Sequence, residues 1–512
     1  MMKPIDFAAQ RGAAAARSGS RFVSRRVVRR VSYLASMLSP VAALLTLLIA
    51  GCTVGPDYKG APTTASATSF KRAPDGVQAT APGVAAWWVA LNDPQLTALI
   101  EAGIDNSPDL RAAQARVRQA RAGLTQQQSN ALPKVGASAA YLRMREPDLS
   151  SLSGGSSGSS GGRGPVALYL AGFDASWELD LFGGTRRAVE AASAEADASE
   201  ADLADTHVQL AAEIGSTYVG LRDQQQRIAI VRKSAELEEH VLSLTEQRRE
   251  RGVSSQVDVE RVRTQVENTR NALIPLDAQI AESLDQLALL TGREPGALDD
   301  MLKQPAPLPA LPQTVAVGDP AQLLRRRPDV RAAERRLASQ SAQIGEREAD
   351  WFPKVTLFGS LSFSAADPGH LVRKDNLTWL GVPYLQWNAF DFGRTKAKVD
   401  QARASFDEAQ AKYESTVLGA LRDADVALSR YGHERENVVS LRTVEGSATR
   451  AATLTEQRYR AGTATALDWI DAERTRYTAE QNRVQSDAQL IKDYVALQKS
   501  LGLGWDGSAS AQ

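Results

Sequence analysis

The chain contains one unit written twice. Pro108-Asp109-Leu110-Arg111-Ala112-Ala113 returns as Pro328-Asp329-Val330-Arg331-Ala332-Ala333, a shift of 220 residues. The same shift carries Pro133-Lys134-Val135 onto Pro353-Lys354-Val355, with 10 identities over the 28 aligned positions and no slip of register. Farther on the shift becomes 210: Trp177 falls on Trp387, Phe182-Gly183 on Phe392-Gly393, Gly252 on Gly462, Asp258 on Asp468 and Gly292 on Gly502. The change lies where the first copy carries residues 150–164, a Ser/Gly run that reads as a flexible loop. The eight residues from Pro305 to Pro312 include four prolines and read as a stiff connector between the copies. Chance similarity in such register over most of two halves is improbable, so the chain is duplicated.

Each copy has the same internal order. A helix begins at Pro108 or Pro328, with proline and an acid in its first turn, and stops near Pro133 or Pro353. Two strands follow. In the second copy Val355, Leu357, Gly359, Leu361 and Phe363 alternate with Thr356, Phe358, Ser360, Ser362 and Ser364. After Asp367-Pro368-Gly369, residues Leu377, Trp379, Gly381, Pro383, Leu385 and Trp387 share a face. The first copy matches with 167–179 and a weaker partner at 135–143. Such runs reach the ~9–11 residues of a tilted membrane strand, with aromatics available for a girdle. No proline then interrupts the chain from Gly183 to about Glu250, or from Arg394 to Arg460. Each stretch reads as a helix of ~100 Å at 1.5 Å per residue. Leu203, Leu210, Ile214, Tyr218, Leu221, Ile228 and Val231 form its coiled-coil seam. Sharp turns at Gly252 and Gly462 lead into return helices, the first kinked at Pro275.

Two strands per copy make four per chain, too few to close a barrel, and open strand edges are not tolerated in hydrocarbon. Three chains supply twelve strands, with the long helices prolonging the ring as a tube. The fold expected is therefore an α+β membrane protein, internally duplicated, with long coiled-coil helices forming an α-barrel and four strands per chain contributing to a trimeric 12-stranded β-barrel.

The first 51 residues hold eight cations and one acid, and an apolar run ends in Leu48-Ile49-Ala50-Gly51-Cys52. That pattern reads as a secretory signal whose cleavage exposes Cys52, the single cysteine, for lipidation. One cysteine excludes an internal disulfide and a cysteine metal cluster. Beyond it remain 52 basic and 59 acidic residues, an acidic balance unsuited to nucleic acid. The four histidines, His207, His240, His370 and His433, have no metal-ligand spacing, and no nucleophile elbow or phosphate loop is present, so no enzyme is expected. The segments expected are 1–51 signal peptide, 52–91 extended N-terminal piece, 92–304 first repeat, 305–318 linker, 319–502 second repeat and 503–512 tail.

Cys52-Thr53-Val54-Gly55-Pro56-Asp57-Tyr58, Trp87-Trp88 with Asp93-Pro94-Gln95-Leu96, and Trp177-Glu178-Leu179-Asp180-Leu181-Phe182-Gly183 resemble the outer-membrane factor lipoproteins of tripartite efflux systems (the OprM/NodT group, relatives of TolC). The resemblance covers essentially the whole chain after Cys52. It implies a homotrimeric outer-membrane conduit for drugs or other small molecules, lipid-anchored, with its helical part in the periplasm. Its implied partners are a periplasmic adaptor and usually an inner-membrane RND pump; no cofactor and no metal are implied. By the same resemblance Arg251, Gly252, Val253, Ala461, Gly462 and Thr463 are the tips on which the adaptor docks. Asp468 and Asp471 form the narrow gate, six carboxylates in a trimer, while Asp258 bonds Tyr459 to link the hairpins in the closed state. One departure is Ala464, where relatives carry a basic residue. Without the resemblance, the acids are solvated residues at helix starts and the glycines are helix C-caps. The alternative function is a lipid-anchored periplasmic coiled-coil adaptor or scaffold, which requires a soluble β-domain between its helices.

Cys52→Ser is expected to abolish acylation, read by mass spectrometry as loss of the lipid from the N-terminal peptide; a retained acyl mass would sink the anchor assignment.

Overall fold

The structure is a computed structural model, and it describes residues 53–62, 69–74, 77–78, 80, 86–144 and 165–505. The leader, Cys52, the Ser/Gly loop and the residues after 505 lie outside the described residues. Copy 1 runs α1 (Pro94–Asn106), α2 (Pro108–Asn130), β2 (Lys134–Met144), β3 (Val166–Leu179), α3 (Gly184–Glu250), α4 (Gln256–Asn271), α5 (Leu273–Leu290) and α6 (Asp299–Leu302). Copy 2 runs α7 (Pro320–Arg326), α8 (Pro328–Glu348), β5 (Lys354–Ala365), β6 (Leu377–Gln386), α9 (Arg394–Arg460) and α10 (Ala466–Ser500). A two-residue parallel bridge joins β1 (Val77–Gln78) to β4 (Val315–Ala316).

The sequence shifts reappear as identical contacts. The indole N–H of Trp177 donates to the carbonyl of Ala131 at 2.9 Å, and that of Trp387 to the carbonyl of Trp351 at 3.1 Å. Asp93 and Asp319 cap the helices that open the copies, accepting from Gln95 and Leu96 and from Gln322. These short opening helices, α1 and α7, precede the helices expected at Pro108 and Pro328. The kink expected at Pro275 appears as a one-residue interruption at Ala272, whose backbone stays in the right-handed helical region (φ −66°, ψ −17°). The proline ring displaces the Asn271 carbonyl, and its missing N–H cannot bond it.

The long strands form one antiparallel sheet in the order β2-β3-β5-β6, so β3 and β5 join the copies while β2 and β6 are its edges. In every pairing odd-numbered residues stand opposite odd-numbered ones. Val135, Phe173, Trp177, Leu361, Trp379 and Leu385 therefore share one face, and all are exposed, Trp379 at 79% and Leu385 at 62%. Ser138, Asp174, Ser362 and Thr378 lie on the other, where Ser138 bonds Asp174 and Ser362 bonds Thr378, each at 3.0 Å. A sheet with an apolar face open along its whole width suits lipid, not water. Among the described residues no helix is long and apolar enough to cross a membrane.

The helices carry the core. Leu210, Ile214, Tyr218 and Leu221 of α3 are buried against Trp87, Leu96, Ile100, Leu287 and the α10 residues Tyr494 and Val495. Of the expected seam only Leu203 stays half-exposed. Although α3 and α9 are both 67 residues long, α3 buries 28 of its residues and α9 only 12. The first packs on helices of both copies; the second packs chiefly on α8 and α10 of its own copy.

Two residues break the equivalence in favour of copy 1. Arg222 is fully buried, bonding Gln225 at 2.6 Å and the Gln304 carbonyl at 2.9 Å, with Tyr218 beneath its guanidinium. This ties the chain after α6 to α3. Its counterpart is Gly432, where Pro74 lies so close that a Cβ would stand 2.7 Å from it. The N-terminal segment thus crosses α9 where copy 2 lacks the arginine. Arg187, 4% exposed, bonds the carbonyls of Val54 (3.2 Å) and Gly55 (3.3 Å) and the carboxylate of Asp57 (2.6 Å). Its fork clamps residues 54–57 onto the strand-to-helix turn, where Val54 N–H also reaches the Phe182 carbonyl at 3.1 Å. Ala397 stands at the equivalent place in copy 2.

Arg187→Ala is expected to unseat this segment, so a lysine-specific protease cuts after the exposed Lys59 at least about tenfold faster, as local unfolding controls cleavage. Arg187→Lys, with one point charge instead of a fork, restores little. Unchanged cleavage in both variants would show that the clamp holds nothing.

Candidate functional site: the two hairpin tips

Each long helix ends in the same turn. Gly252 has φ 78° and Gly462 has φ 77°, in the left-handed region. Val253 N–H closes back on the Arg248 carbonyl at 2.8 Å, and Thr463 N–H on the Arg458 carbonyl at 2.9 Å. A Cβ on either glycine would meet nothing within 4 Å, so backbone conformation, not space, requires glycine there. Arg251, Gly252 and Val253 are exposed, as are Ala461, Gly462 and Thr463, so both tips project freely.

The return helices start alike as well. Ser255 Oγ accepts from Asp258 N–H at 3.2 Å, while Asp258 Oδ2 accepts from Ser255 N–H at 3.0 Å and from its hydroxyl at 2.8 Å. Thr465 and Asp468 repeat the arrangement at 3.1, 2.8 and 2.8 Å. These are reciprocal capping boxes with aspartate in the third helical position. The serine hydroxyl and backbone N–H hold the Asp258 carboxyl below the usual carboxylate range; the backbone N–H and hydroxyl of Thr465 do the same for Asp468. Both therefore stay ionised at neutral pH.

The expected bond between Asp258 and Tyr459 is not formed within the chain. Asp258 is engaged by Ser255, and Tyr459 stacks on Trp469 with ring centroids 5.2 Å apart and planes at 24°. What joins the two hairpins near their tips is apolar: Val241 of α3 and Val262 of α4 pack with Trp469 and Ile470 of α10, flanked by Tyr459. Trp469 is 8% exposed. Its counterpart in copy 1 is Val259, and Glu260 stands where copy 2 has Ile470. Sequence reasoning passed over Trp469; the signal was an aromatic beside the cap acid in one copy only.

The acid pair is not equivalent either. Asp471 lies one turn beyond Asp468, largely exposed, with Arg474 at 3.5 Å. The matching residue of copy 1 is Arg261. Behind the tip of copy 1, Arg263–Glu246 and Arg270–Glu239 cross from α4 to α3 at 2.9 and 2.8 Å, one heptad apart.

Residues 99–293 and 320–503 match the family model described as "Outer membrane efflux protein", one match on each copy. The chain is 31% identical to outer membrane protein OprJ of Pseudomonas aeruginosa over 472 residues, covering 92% of this chain and 96% of that one. It is 33% identical over 472 residues to the pyoverdine export outer membrane protein OpmQ of the same organism, covering 91% and 97%. The solved outer-membrane channel OprN superposes with a TM-score of 0.81 at 36% identity, over 89% of this chain and all of that one.

Trp469→Ala is expected to lower stability by about 3–5 kcal/mol, the usual range for a buried tryptophan cut to alanine. Hydrogen exchange should speed up in the turns around Val241 and Val262 while the sheet is unaffected. Equal protection in variant and parent would remove the aromatic cluster as the hairpin link.

Proposed function

The chain belongs to the outer membrane efflux protein family, and within it we propose the following assembly and gate. Three copies close one barrel across the outer membrane. A periplasmic adaptor docks on the helical tips, and an inner-membrane pump delivers the cargo. The protein itself is an outer-membrane efflux channel. The observation that carries the assembly is the four-stranded sheet, apolar along one face and open at β2 and β6. In hydrocarbon those edges must be paired, and only further strands can do it. An acyl group on Cys52 adds a lipid anchor, and the Arg187 clamp holds residues 54–57. An adaptor would need a separate soluble β-domain. Among the described residues the long strands instead make a single sheet.

The tips Arg251, Gly252, Val253, Ala461, Gly462 and Thr463 form the adaptor surface, since they are exposed and held in fixed turns. Asp468 and Asp471 supply the carboxylates of the constriction. Because Asp468 is held by its cap, its charge is fixed in place; Asp471, largely exposed and 3.5 Å from Arg474, is the acid that can turn to a passing cation or yield. Asp258 and Tyr459 contribute by holding their hairpins, one through its cap and the other through Trp469. Selection among cargoes lies mostly in the pump. The relative OpmQ is named for pyoverdine export, and for this chain a compound accepted by the pump passes through the conduit.

In planar bilayers, Asp471→Ala is expected to raise single-channel conductance and weaken block by multivalent cations, with its cap intact. Adding Asp468→Ala should raise conductance further as the cap is lost too. A conductance and block identical to the parent's in both variants would exclude the acids as the gate.

A further inference from the structure

The four long strands carry few charges, and their placement singles out one of them. Their ionic residues are Lys134, Arg143, Asp174, Glu178 and Lys354. Arg143 lies at the end of β2 away from the helices, opposite Ala167. Lys134, Glu178 and Lys354 gather at the helical end, where Lys354 stands 3.1 Å from Asp350 and 4.0 Å from Glu178. At that rim the two lysines balance the two acids. Asp174 lies farther into the sheet, ~13 Å along β3 from Glu178. Its one hydrogen bond among the described residues is accepted by Oδ2 from the Ser138 hydroxyl at 3.0 Å, and no ion pair joins it. Lys134, diagonal to it across β2, makes no bond with it.

Register puts this carboxylate on the even-numbered face, away from the apolar residues that suit lipid. Gly136 of β2 and Ser360 of β5 stand directly opposite Asp174. Two residues along, the same face carries Ser138, Gly172, Ser176 and Ser362. These neighbours are all small, so the carboxylate is not walled in by them. Nor does the hairpin require an acid. The equivalent of Asp174 in copy 2 is Tyr384, and Thr356 pairs with Tyr384 just as Gly136 pairs with Asp174. Copy 1 places a charge where the same backbone does without one.

We propose that Asp174 sets the charge preference of the barrel, one carboxylate from each chain forming a cation-selecting ring in the lumen, separate from the acids at the tips. This rests on the trimeric conduit proposed above. Strands ~4.8 Å apart, tilted ~40° and closed as a ring of twelve, enclose a backbone radius of about 12 Å. A carboxylate reaching ~3.5 Å inward stands roughly 8 Å from the axis, within the Debye length of about 10 Å at 0.1 M salt. The fields of the ring therefore overlap across the lumen, enriching cations and depleting anions on the exit path. Carboxylates about 14 Å apart cannot close on one small ion, so the ring acts on the sign of charge and not as a binding cage. The cargo class it favours is an ammonium compound over an anion of similar size.

The test is the potassium-over-chloride permeability ratio of the full-length protein in planar bilayers, under a gradient of roughly 0.1 to 0.01 M KCl. A background of Asp468→Ala with Asp471→Ala removes the tip acids and should keep a preference for potassium. Adding Asp174→Asn should lower the ratio at least about twofold, and Asp174→Lys should turn the preference to chloride. Ser138→Ala removes the hydrogen bond and leaves the charge, so the ratio should stay as in the background. At about 1 M salt, where the Debye length is ~3 Å, the variants should converge. Asp174→Cys provides a readout that does not depend on how a substituted chain folds, because it is modified after insertion. A sulfonate-bearing methanethiosulfonate should raise its ratio and a trimethylammonium-bearing one should lower it, with the parent, carrying Cys52 alone, treated alike. If Asp174→Asn conducts with the ratio of its background and neither reagent moves Asp174→Cys, the ring is wrong and the channel reading survives. If Ser138→Ala lowers the ratio as far as Asp174→Asn does, the cause is the shape of the strand and the proposal falls. If neither the parent nor any variant conducts, the conduit reading fails and the ring with it.

Discussion

An unpaired strand edge cannot remain in hydrocarbon, and the rest of this structure depends on that constraint. The sheet is apolar across one face over four strands, and among the described residues β2 and β6 are its edges. The same incompleteness appears in the helices, where α9 buries fewer than half as many residues as α3 at identical length. Both observations describe one missing neighbour. A duplicated chain can satisfy it only with another copy of itself, since the outer edge of copy 1 is shaped like the inner edge of copy 2.

Duplication supplies the backbone twice and leaves the side chains free to diverge. The turns at Gly252 and Gly462 and the capping boxes at Ser255 and Thr465 agree to within a few tenths of an ångström in their hydrogen bonds. Around them the copies differ wherever something must happen once per chain. Arg187 clamps the N-terminal segment, Arg222 holds the chain that leaves copy 1, and Gly432 leaves room for Pro74. Residues required in both copies thus maintain the hairpin, and residues present in one direct the chain.

Much of this was legible in the sequence because it was written in periodic signals. The shifts of 220 and 210 survive as paired indole-to-carbonyl bonds at Trp177 and Trp387, and the strand alternation survives as the odd-numbered apolar face. Pro275 marks its helix break because its effect is local. Contacts between residues far apart in sequence were not legible. Nothing in Arg187 alone announces that residues 54–57 will fold over it, and Trp469 looks like any helix residue until Val241 and Val262 are seen against it. The bond expected between Asp258 and Tyr459 is not formed within the chain for a related reason. Both residues satisfy themselves within their own hairpins, through a cap and through an aromatic stack.

That local satisfaction also bears on which acid the proposed gate would use. Asp258 and Asp468 occupy equivalent positions and do equivalent work, holding the first turn of a return helix against fraying. A charge needed for that purpose cannot move or be lost without loosening the tip. The next position on the same face is under no such demand, and there the copies diverge in sign, Arg261 in one and Asp471 in the other. Where both copies need the same residue, the fold is speaking. Where they take opposite charges on identical backbone, the hairpin does not dictate the choice, and Asp471, 3.5 Å from Arg474, is the acid that the proposed gate would use.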